Sequence, residues 1–148
     1  MKKIILLVAA LASILFAKSV ELATPPDHKD GVNHLELVLI LDKSGSMSGL
    51  ESDTIGGFNS MIEKERKEGI DASVTTVLFD TKFNVIHDRT PLAKVENLTS
   101  KEYYAGGNTA LLDAIGSTIA RIERVPDIYA KNNRVLFVII TDGLENAS

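Results

Sequence analysis

Two runs constrain this chain more than anything else in it: Leu37-Val38-Leu39-Ile40-Leu41 and Val135-Leu136-Phe137-Val138-Ile139-Ile140. Both are unbroken and apolar. The first ends directly in Asp42, and the second reaches Asp142 through Thr141. Successive residues of a strand point to opposite faces, so a run apolar at every position is buried on both sides. That is the signature of a central parallel strand with helices above and below it. Two such strands separated by helical and hairpin patterns require an α/β sheet.

The intervening chain supplies those patterns. Ile55, Phe58 and Ile62, with Met61 adjoining, recur at helical spacing, and Gly69 provides a stop. Gly56-Gly57 inside that helix costs roughly 1 kcal/mol per glycine, which close packing of the helix on the sheet would explain. Val74 to Phe79 reads as a second strand. Asp80-Thr81-Lys82 is a turn, and Phe83 to His87 is a more polar third strand, antiparallel to the second and at the sheet edge. A weakly patterned stretch with a helical turn near Lys101 to Tyr104 leads to Gly106-Gly107-Asn108-Thr109. A second amphipathic helix follows, with Leu111 or Leu112, Ile115, Ile119 and Ile122 as its buried stripe. The expected architecture is a doubly wound, Rossmann-like, mostly parallel sheet with one antiparallel edge strand. Right-handed crossovers place the two apolar strands side by side with their tips together, so Asp42 and Asp142 meet.

The residues ahead of the first strand have a different character. Lys2-Lys3 followed by the apolar stretch Ile4 to Phe16 reads as an export signal over residues 1–19, cut after Ala17 or, preferably, Ser19. An uncleaved anchor is the alternative, but the run is shorter than the roughly 20 residues a membrane span needs. Residues 20–33, with Pro25-Pro26, form a linker, and the folded unit occupies 34–148. With Lys2, Lys3 and Lys18 removed, 13 of the 16 basic residues remain against 20 acidic ones, taking the net charge from −4 to −7. Such a chain is unsuited to a nucleic-acid backbone. It contains no cysteine, which rules out disulfides and thiolate metal sites. The three histidines are not spaced as a ligand pair. The processed protein is expected in the periplasm or secreted, with no stable membrane span.

The chemistry gathers at the strand tips. Asp42, Ser44 and Ser46 come from the first tip, Thr109 from the loop entering the second helix, and Asp142 from the last tip. Oxygen-only donors suit a hard divalent cation, Mg²⁺ (or Mn²⁺), and neutral hydroxyls beside few carboxylates leave it seeking another anionic oxygen. The competing explanation is that Ser and Asp cap the helix that follows.

The pattern D-x-S-x-S, a distant threonine and a distant aspartate resembles the metal-ion-dependent adhesion site of the von Willebrand factor A domain family. The resemblance runs from about Leu35 to Ser148. It is closest to bacterial single-domain members over Asp42 to Gly49, Gly107 to Asp113 and Thr141 to Ala147. It implies hydroxyl ligation by Ser44, Ser46 and Thr109, with Asp42 and Asp142 acting through water or hydrogen bonds. It also implies a non-enzymatic module that captures a Glu or Asp carboxylate of a protein partner through the cation. A phosphoryl-transfer enzyme with Asp42 as nucleophile is the alternative, but Ser44 stands where such enzymes want a second carboxylate, and no partner acid or base is evident. Whole domains of the family continue past the strand that ends at Asp142. The expectation is therefore a sheet incomplete on its C-terminal side, with the last apolar strand as a bare edge.

Overall fold

The computed structural model describes residues 4–10, 34–130 and 132–141. Its strands are β1 (Ile4–Ala10), β2 (His34–Asp42), β3 (Ala72–Phe79), β4 (Phe83–Pro91) and β5 (Asn133–Thr141). Its helices are α1 (Glu51–Lys67) and α2 (Leu111–Glu123). They form an α/β fold around one mixed sheet of order β1-β5-β2-β3-β4, in which only the β3–β4 pair is antiparallel. Among the described residues no helix is long and apolar enough to cross a membrane. The rest of the expected signal, its cleavage sites and the linker lie outside the described residues.

Alternation along the strands explains why the runs are apolar throughout. Leu37, Leu39 and Leu41 of β2 pack in one cluster with Phe58 and Ile62 of α1, and Val138 of β5 joins them. Val38 and Ile40 point the other way, into a cluster with Ala114 and Ile122 of α2 and with Val135, Phe137 and Ile139 of β5. One helix therefore covers each face. Phe58 and Ile62 are essentially fully buried, and each contributes on the order of 2–3 kcal/mol by leaving water. Helix α1 ends at Gly69, whose φ of 68° lets its N–H turn back onto the Arg66 carbonyl at 3.1 Å. Asn59 of α1 clamps the return segment through paired bonds to Leu98 N and O at 2.7 and 2.9 Å.

Three expectations are corrected. Strand β5 is not a bare edge, because Ile4–Ala10 runs parallel beside it from Ile4↔Val135 to Ala10↔Thr141. The apolar stretch read as the core of a signal thus supplies hydrogen bonds that an open strand would lack. Gly56 and Gly57 are exposed, and a Cβ at either would meet nothing within 4 Å, so close packing does not explain them. On α2 the buried stripe is Ala114, Thr118 and Ile122, with Leu111, Ile115 and Ile119 partly buried at its flanks, whereas Leu112 is 63% exposed.

Charged groups are buried as well as apolar ones. Glu36 is buried on β2, and Arg89 reaches across β3 from β4 to hold it, with Nε 3.1 Å from Oε1 and Nη2 also bound. Arg89 takes a left-handed φ of 46° just where the β3–β4 register slips, and its own N–H binds Thr75 Oγ1 at 3.2 Å. The Glu36 carboxylate holds the Arg89 guanidinium's pKa above its ordinary value.

Two outcomes follow in equilibrium denaturation. Gly56→Ala and Gly57→Ala each stabilise the fold, by up to about 1 kcal/mol; a loss would mean the helix backbone there is constrained by something other than its own propensity. Arg89→Met costs about 2–3 kcal/mol. That is the low end for a broken buried pair, because the Arg89 side chain is 40% exposed while Glu36 is 1% exposed. Adding Glu36→Leu recovers most of that loss, and simple additivity of the two changes would contradict the pairing.

Candidate metal site at the strand tips

The site begins with a carboxyl that has no access to water. Asp42, the last residue of β2, is 0% exposed, so both of its oxygens need donors from the protein. The loop that follows supplies one, since Ser44 N–H donates to Oδ1 at 2.8 Å. The neighbouring strand supplies the other, since the Thr141 hydroxyl donates to Oδ2 at 2.8 Å. The Asp42 backbone carbonyl accepts a further bond from the buried Tyr103 hydroxyl. The turn held in this way directs Ser44 Oγ to within 3.1 Å of Ser46 Oγ. Ser44 is buried and Ser46 exposed, so the pair leads from the interior to the surface.

The Gly-Gly-Asn-Thr loop is bonded directly to this turn. Gly45 N–H donates to Gly107 O at 2.9 Å, and Gly106 N–H to Lys43 O at 2.8 Å. The same loop is tied to the β3–β4 turn through Ala110 N–H to Asp80 O at 2.9 Å and Asn108 N–H to Thr81 Oγ1 at 3.1 Å. Gly107 is required twice over. Its φ is 79°, and an added Cβ would stand 3.1 Å from Thr81 Oγ1. Thr109, at the end of this loop, is buried beside the start of α2.

The structure therefore gathers Asp42, Ser44, Ser46 and the loop carrying Thr109 at the C-terminal end of the parallel strands. Asp142 lies outside the described residues. Helix capping does not account for the hydroxyls: α1 starts after Leu50 with no side-chain cap, and Ser44 makes no cap bond to the short 3₁₀ turn over Gly45–Met47. Residues that sequence reasoning missed are Thr141, Tyr103 and Lys43. Thr141 had a signal, since the parallel register pairs Leu41 with Ile140 and so carries Thr141 to the level of Asp42. Lys43 Nζ lies 3.6 Å from Asp80 Oδ2 and 4.2 Å from the centre of the Tyr104 ring, bridging two loops of the rim.

The donor set fits a small hard cation. Adjacent ligands of an octahedron stand about 3.0 Å apart when metal–oxygen distances are about 2.1 Å, and the Ser44–Ser46 oxygen separation of 3.1 Å matches that edge. Among the described residues no three His, Cys, Asp or Glu side chains group as metal ligands. No protein-family model and no curated protein matches this sequence.

Removing the Thr141 hydroxyl tests the architecture. Thr141→Val leaves a buried Asp42 oxygen without this donor and costs about 1–3 kcal/mol in urea denaturation. Ser44→Ala, which keeps the backbone N–H on Asp42, costs about 1 kcal/mol or less. Equal losses would show that the strand-to-strand bond carries no special weight.

Proposed function

We propose that the chain is a von Willebrand factor A-like module with a doubly wound, Rossmann-like sheet. It binds Mg²⁺ (or Mn²⁺) at its strand tips and captures a carboxylate of a protein partner there. The observation that carries this reading is the placement of Ser44 and Ser46 oxygens 3.1 Å apart beside an aspartate whose two oxygens are already committed to Ser44 N–H and Thr141 Oγ. Ser44, Ser46 and Thr109 would hold the cation. Asp42, and Asp142 by its position after Thr141, would supply negative charge and orient the ligands around it. When bound, the cation supplies an electrophilic position that an external carboxylate fills. Hydroxyl donors favour this because they leave the cation's charge largely uncompensated.

The chain's own residues do the orienting. The Asp42 turn fixes the two serines, and Gly107 lets the Thr109 loop approach them. The resemblance to the family rests on D-x-S-x-S at Asp42, Ser44 and Ser46, with a distant threonine in Thr109 and a distant aspartate in Asp142. Complete burial of Asp42 weighs against its use as a phosphoryl nucleophile, because both oxygens already accept hydrogen bonds.

Titration with Mg²⁺ tests the proposal. At ten times its Kd the cation stabilises the wild-type fold by about 1.4 kcal/mol, read as a rise in Tm. Ser46→Ala, at an exposed position, leaves the metal-free Tm unchanged and removes most of that rise. An equal response in both proteins would sink the site.

A further inference from the structure

We propose that the groove between α2 and β4 is the second half of the partner-binding surface, and that it takes an extended acidic segment of the partner adjoining the carboxylate held at the strand tips. This rests on the metal-capture reading and adds the chemistry of the flanking residues.

The topology opens this groove at the site. Strand β4 begins at Phe83, directly after the turn whose Asp80 and Thr81 bind the Gly-Gly-Asn-Thr loop. Helix α2 begins at Leu111, directly after Thr109. Both elements therefore start at the same loops and run away from them, with a gap between them that the Arg121–Asp88 ion pair spans. Two clefts occupy that gap. One of about 380 Å³ adjoins the site between Thr81 and Asp113, and one of about 690 Å³ continues it toward Arg124 and Pro126. Phe83 and Ser117 border both.

Its lining defines the occupant. Phe83 is 50% exposed, although a phenyl ring at the start of an edge strand gains nothing from water. Lys82, Arg89, Arg121 and Arg124 line the clefts against Asp88 and Asp113, a cationic excess in a chain whose net charge is −4. Arg89 and Arg121 are held by Glu36 and Asp88, whereas Arg124 stands exposed at the far end. The groove thus presents an apolar patch near the site and a guanidinium beyond it. The 13 residues of α2 span about 20 Å, the length of about six extended residues. The fitting segment has an acid at the metal, an aromatic or aliphatic residue two or three positions away over Phe83, and a second acid about six positions away at Arg124.

A displayed peptide library with one fixed Glu and six randomised positions on either side, panned on the full chain in Mg²⁺ and in chelator, reads this directly. Wild type in Mg²⁺ enriches peptides with the apolar residue and the second acid on the same side of the Glu. Phe83→Ser loses the apolar preference, and Arg124→Glu loses the distal acid. Each binds the wild-type consensus about tenfold more weakly while keeping the Mg²⁺-induced rise in Tm. Mg²⁺-dependent enrichment with no flanking preference, or with a preference that survives both substitutions, overturns the groove and leaves metal capture standing. Enrichment that persists in chelator yet depends on Phe83 and Arg124 supports the groove and overturns metal capture. No enrichment in either condition overturns both.

Discussion

A single buried carboxyl organises the C-terminal end of this protein's parallel strands. Asp42 has no water to satisfy it, so β2 can end in aspartate only if donors arrive from elsewhere in the fold. One donor requires the chain to turn back immediately, which puts Ser44 N–H on Oδ1. The other requires the parallel register of β2 and β5 to hold as far as the tip, which puts the Thr141 hydroxyl on Oδ2. The first of these conditions also brings Ser44 and Ser46 together. The hydroxyl pair is thus a consequence of satisfying the carboxyl.

Much of this was legible in the sequence because burial leaves a periodic trace. The two apolar runs, the β3–β4 turn and the two amphipathic stretches became β2, β5, the hairpin, α1 and α2. Features that depend on pairings between distant segments left no such trace. Nothing local to Glu36 tied it to Arg89, more than fifty residues away and turned inward by an irregularity of β4. Tyr103 lies in a segment without periodicity, and only the tertiary fold brings its hydroxyl to the Asp42 carbonyl. The edge of β5 was misjudged because Ile4–Ala10 was read for its address rather than its propensity. An apolar run can be an export signal and a strand-forming segment at once.

The glycines divide along the same line. Gly107 serves a close approach, since its loop is pressed against Thr81 and Asp80 with a positive φ. Gly56 and Gly57 serve no contact in the described structure. From sequence alone both kinds look alike, because a glycine records only that a side chain is absent.

Polar groups occur at both ends of the sheet, and their arrangement separates a clamp from a site. At the N-terminal end of β2, His34 joins Asp71 Oδ2 at 2.9 Å through Nδ1 and Ser73 Oγ at 3.2 Å through Nε2. The order hydroxyl, imidazole, carboxylate matches that of a nucleophilic triad. Yet Glu36 Oε1 stands 3.3 Å from the same Nε2, and Arg89 occupies that carboxylate in turn. These bonds link β2, β4 and the entry to β3 to one another. At the opposite end the bonds converge on backbone and on Asp42, leaving Ser46 exposed beside a buried Ser44. Helices α1 and α2 also begin on that side, with Glu51 in the first turn of one and Asp113 in the first turn of the other. Those acids offset part of the positive potential of the helix N-termini. The clamp holds the edge strand, whereas the tips leave a serine hydroxyl at the surface beside a buried one.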